Sequence, residues 1–98
     1  MAIAPARAEL QVIDAQPTGQ PAPHHGRWAV RCKVIQVLSG TFPKDLSEIT
    51  LLVHSPTKTF KTVIDDLPLY IFTVEFLGPV TDPYDGDLNV IGWRKAGS

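Results

Sequence analysis

A single cysteine, Cys32, among 98 residues excludes an intramolecular disulfide. The fold must rest on packing alone, and a reducing, cytoplasmic setting is the expectation. Excess charge is also missing. Nine Lys and Arg against ten Asp and Glu leave a formal net charge of -1, which removes the general electrostatic pull toward nucleic acid or an anionic membrane. Any such partner would need a local patch. No apolar run approaches the roughly 20 residues of a membrane-spanning helix, so no membrane association is expected. The stretch from Met1 to Leu10 lacks the apolar core of a secretory signal. The Ala6-Arg7-Ala8 triplet leaves one alternative open, the remnant of a cleavage site in a trimmed secreted chain.

Metal and catalytic motifs are scarce as well. His24, His25, His54 and Cys32 are the only soft ligand candidates, and no Cys-x-x-Cys or His-x-x-x-His spacing brings them together. Asp82, Asp85 and Asp87 surround Gly86 as in a calcium loop, but an EF-hand counted from Asp82 would need an acid where Trp93 stands. A hairpin turn with solvated aspartates fits better. Cys32 shares a face with Trp28, Val30 and Val34, where a thiol acts as a small buried hydrophobe. No catalytic residue, metal ligand or cofactor is therefore assigned. A small metal-dependent hydrolase, resting on the histidines and aspartates alone, is the weakest reading.

What is present is alternation. With 44% hydrophobic and 19% charged residues, the chain has the composition of one globular domain, residues 1–98, with 1–8 expected as a flexible segment. Five segments alternate apolar and polar residues between Pro, Gly, Asp or Ser boundaries, which predicts an all-β fold. They are Glu9–Ala15, Arg27–Leu38, Glu48–His54, Leu67–Leu77 and Asp87–Trp93. A Pro-rich loop separates the first two. The stretch Thr57–Asp66 reads as a connection carrying one short helical turn. In the fourth segment Tyr70, Phe72, Val74 and Phe76 form the expected core face.

The second segment changes phase. Trp28, Val30, Cys32 and Val34 alternate with Arg27, Ala29, Arg31 and Lys33, but Ile35 and Val37 then fall on the formerly polar side. A bulge, or a strand bent to face another layer, accounts for the switch. One long bent strand shared by both halves of a wall is what a small closed barrel needs.

Five strands in about a hundred residues, one of them long and bent, resemble an OB-fold barrel. The pattern is similar to the netrin-like module of tissue inhibitors of metalloproteinases. The likeness lies in Val34-Ile35-Gln36-Val37-Leu38-Ser39-Gly40, in Ile49 to Pro56, and in Pro68-Leu69-Tyr70-Ile71-Phe72, together about half of the chain. That resemblance implies a five-stranded OB-like barrel whose loops and open face bind a partner. Those inhibitors meet their target's zinc through an N-terminal cysteine, whereas this chain starts Met1-Ala2-Ile3-Ala4, so no inhibitory residue carries over.

The expectation for function is a non-catalytic interaction module for a protein or small molecule, using the loops Gln16–Gly26 and Val80–Asp87 or a half-covered sheet face. The expected ligand-binding residues are Arg27, Arg31 and Lys33 on the basic strand face, with Trp93 and Tyr84 as aromatic platforms. Leu52, Ile35, Val37, Ile71 and Trp93 are candidates for an exposed apolar patch serving self-association or a protein partner. The alternative is single-stranded nucleic-acid binding, with Arg94 and Lys95 joining the basic face.

Overall fold

The computed structural model describes residues 5–18, 27–43 and 45–97. Five strands form one antiparallel sheet: β1 (Ala6–Pro17), β2 (Trp28–Ser39), β3 (Glu48–Val53), β4 (Tyr70–Phe76) and β5 (Leu88–Lys95). Their order across the sheet is β3-β2-β1-β4-β5. The sheet does not close. β3 and β5 are its two edges among the described residues, and an isolated parallel bridge between Leu51 and Tyr84 joins β3 to the chain leading into β5.

The core is the inner face of this sheet. Ala8, Leu10, Val30, Cys32, Leu51, Val74 and Phe76 are wholly buried, with no buried charged or polar residue among those described. The alternation behind the sequence reading is therefore the cause of the sheet's two-sidedness. β1 begins earlier than expected: Ala6 and Ala8 are buried strand residues opposite Phe76 and Val74, so part of the expected flexible segment is paired, while Met1–Ala4 lie outside the described residues.

Bulges settle the phase change in β2. Lys33 pairs with Gln11 and Val34 with Leu10, then Gln36 with Glu9 and Val37 with Ala8, leaving Ile35 as an extra residue. A second irregularity leaves Leu38 over before Ser39 meets Arg7. Each extra residue flips the side-chain parity and bends the strand. A third, at Ile13 of β1, moves the inward position from Val12 to Ala15. The β1–β2 ladder runs to Pro17 opposite Trp28 and is finished by the Thr18 N–H donating to the Arg27 carbonyl at 2.8 Å.

Between β3 and β4 lie a short helix, α1 (Pro56–Phe60), and a 3-10 turn, Ile64–Leu69. Helix α1 starts where Ser55 caps it, with proline in the first turn, and stops at Lys61 in the left-handed region at φ 54°. It holds Phe60, 2% exposed, with its ring 4.8 Å from that of Phe72. Truncating such a ring costs about 3–5 kcal/mol. The helix thus lids one end of the core.

Candidate functional site

Trp93 is the most exposed of the large hydrophobics, at 68%, although its cross-strand partner is the buried Phe72. Cross-strand partners share a face, so the indole stands on the inner side of the sheet. The cause is a bulge: Thr73 pairs with Gly92 but Val74 with Val90, so Ile91 is the extra residue and parity flips before Trp93. Without it, Trp93 would stand with Asn89 on the outer face. Tyr70 meets it edge-on, ring centroids 5.4 Å apart and planes at 82°, a geometry that fixes the indole by complementary quadrupoles.

Helix α1 ends before it reaches this tryptophan. The reversal at Lys61 leaves a groove of about 580 Å³ between Thr59–Thr62 on one wall and Val90–Trp93 on the other, with Tyr70 at its base. Lys61 is the only charged residue in the lining. The groove's composition, three aromatic residues, two threonine hydroxyls and one cation, suits recognition of a partly apolar ligand rather than covalent chemistry.

The remaining expected site residues lie elsewhere. Arg27 is ion-paired with Asp85. Arg31 lies 4.0 Å from Asp14 and 3.7 Å from Glu48, and Lys33 stands in register with Gln11 and Glu48. Arg94 reaches Glu9 at 3.3 Å and Arg7 reaches Glu75 at 2.9 Å. The outer face is thus a mosaic of cross-strand ion pairs, in which the arginines expected to meet phosphate already face carboxylates.

Tyr84 offers no stacking face: it is 2% exposed, with Phe76 edge-on at 4.9 Å. Its hydroxyl donates to the Asp87 carbonyl at 2.5 Å and accepts from the Gly78 N–H at 3.2 Å. Its main chain is the bridge to β3, donating to the Thr50 carbonyl at 2.8 Å and accepting from the Leu52 N–H at 3.0 Å. Gly86 is required beside it, since a Cβ there would sit 2.8 Å from the tyrosine oxygen. The aspartate loop therefore serves structure: Asp82 accepts from the Thr50 N–H at 3.0 Å, and Asp85 holds Arg27.

Of the apolar candidates, Ile71 is buried, Leu52 and Ile35 are half-buried, and only Val37 and Trp93 are well exposed. They sit on β2 and β5 with β1 and β4 between them, so they form no common patch. A second hollow, about 620 Å³, lies at another part of the sheet between Pro5–Ala6, Thr41–Pro43 and Phe76–Val80, and no charged side chain lines it. Among the described residues, no three His, Cys, Asp or Glu side chains gather to hold a metal; His24 and His25 lie outside them. Burial pushes the Cys32 thiol from 9.0 up to about 12, the negative charge of Asp14 adding to the effect, so it is a neutral core group at physiological pH. Among the described residues no helix is long and apolar enough to cross a membrane.

Tyr70 and Lys61 are the groove residues that sequence reasoning missed. Tyr70 was expected as core and is only half-buried. For Lys61 a signal existed: Ser55-Pro56 is a helix-start pair, and a short helix from it ends near Lys61. Comparison with protein-family models, curated proteins and solved structures finds no match.

Proposed function

We propose that this chain is a non-catalytic binding module on an OB-like, partly open barrel, and that its ligand enters the groove between α1 and β5. Three features support the OB-like reading: the strand order, the helix between β3 and β4, and the parallel bridge that brings the β3 edge to the chain entering β5. The netrin-like likeness belongs to the same reading and rests on the sequence motifs alone.

The observation that carries the functional reading is Trp93, an inward-facing indole left uncovered and held by Tyr70. Tryptophan is the residue type most enriched among binding hot spots. A groove of several hundred cubic ångströms with convergent aromatic and polar groups is the usual form of a ligand site. The test is a nuclear magnetic resonance screen of the labelled protein against a fragment set and a random heptapeptide library. Ligands that shift the Trp93 indole N–H and lose binding in Trp93→Ala support the reading. Ligands that all map to the Phe42–Phe76 hollow or to the outer ion-paired face overturn it.

A further inference from the structure

The groove lies against a strand edge, and that edge narrows the ligand class. β5 pairs with β4 alone among the described residues, so its other side presents main-chain donors and acceptors. Natural edges are usually blunted by lysine, proline or inward charge. Over Leu88-Asn89-Val90-Ile91-Gly92-Trp93 there is no charge and no proline. The bulge at Ile91 is the one blunting device in that run, and it also turns Trp93 toward the groove. It divides the edge, leaving Gly92–Lys95 as the continuous stretch beside Trp93, and the positive charges of Arg94 and Lys95 there disfavour pairing with a like-charged strand while suiting an acidic one.

Charge supplies the second constraint. Lys61 stands in the groove wall with no carboxylate in the lining, and Lys95 pairs with Tyr70, on the same face as Trp93. Arg94, which points to the outer face, is already met by Glu9. Lys61 is therefore the cation in the groove lining, and Lys95 adds positive charge on the same sheet face outside that lining.

We infer that the ligand is a short, extended, acidic peptide segment that adds a strand to the free edge of β5, seats an apolar side chain on Trp93 and Tyr70, and sets a carboxylate beside Lys61. This rests on the groove being the binding site. Strand addition supplies affinity through main-chain hydrogen bonds and specificity through alternate side chains. β3 ends at Val53 and the Leu51–Tyr84 bridge lies before that end, so beside Val90–Trp93 the facing wall is Thr59–Thr62 rather than a paired strand.

The experiment uses three acetylated, amidated hexapeptides of alternating valine and threonine that differ only in a central glutamate, glutamine or lysine, and an N-methylated form of the glutamate peptide. Binding is followed by the Trp93 indole resonance and by hydrogen exchange of the β5 amides. Opposite charge should favour the glutamate peptide over the lysine peptide by about fivefold at low salt, and Lys61→Glu should reverse the order. N-methylation should weaken binding by at least about tenfold, and β5 amides should gain protection. Equal affinity for the three peptides, or undiminished binding of the N-methylated one, overturns the acidic-strand inference while Trp93-dependent binding keeps the groove as the site. No shift of Trp93 with any peptide at about 1 mM overturns the inference, and the groove itself then falls only if the fragment screen also leaves Trp93 unmoved.

Discussion

Replacing Tyr84 by phenylalanine isolates the contribution of one oxygen to the junction of the sheet's two edges. The ring keeps its edge-on packing against Phe76, and the main-chain bridge to Thr50 and Leu52 is untouched. What disappears is one bond donated to the Asp87 carbonyl and one accepted from the Gly78 N–H, both in part-buried surroundings. At about 1 kcal/mol net for each bond, the loss is about 2 kcal/mol. Against the roughly 5–15 kcal/mol of total stability expected for a domain, that is a large fraction. The melting temperature should fall by about 8–16 °C, given about 4–8 °C per kcal/mol for this size. Urea unfolding followed by circular dichroism measures it directly: the midpoint should drop while the slope stays constant, because the surface exposed on unfolding is unchanged. A Tyr84→Phe protein within about 0.5 kcal/mol of the parent would refute the argument that this hydroxyl fastens the 78–87 loop.

Gly86→Ala should destabilise by about 1–3 kcal/mol, since the new Cβ meets the tyrosine oxygen, and its effect should be less than additive with Tyr84→Phe in the same urea assay. Cys32 should resist thiol reagents in the folded state at about pH 8, reacting only on unfolding. Its folded pKa, about 12, lies above the ordinary 9.0, so its contribution is fully present below pH 9 and is lost as pH rises toward 12. Cys32→Ala should therefore show a shallower alkaline loss of stability, by up to about 1.4 kcal/mol per pH unit in that window. Trp93→Ala should change stability by less than about 1 kcal/mol, because the indole is largely exposed, while removing binding in the groove. Arg94→Ala should likewise cost under about 1 kcal/mol, an effect that shrinks with added salt, as its pairing with Glu9 is exposed on the arginine side.

The fold's strands are legible because each is amphipathic at period two, and the parity switch after Val34 calls for a bulge or a bent strand, of which the register shows a bulge at Ile35. The bulge at Ile91 was not legible. Val90-Ile91 puts two apolar residues in succession as Val34-Ile35 does, but the run is too short for the switch to stand out, and the register against Thr73 and Val74 reveals the slip. The same limit hid the role of Tyr84: its burial depends on β3, some thirty residues earlier in the chain, and an aspartate-rich loop gives no local sign of it. The basic residues Arg27 and Arg31 are visible in the sequence without their partners, because Asp14, Glu48 and Asp85 come from three other segments. Of the groove, Trp93 was visible as a candidate, whereas Tyr70 and Lys61 joined it only through the end point of α1.

The rung at Thr18 and Arg27 has a practical corollary. Because the ladder is latched at its last hydrogen bond, the two chain ends that leave the hairpin there stand side by side, with their spacing set by the strands below them. A foreign segment spliced between those residues would inherit a ready-made mount, free to vary in length without altering the register beneath.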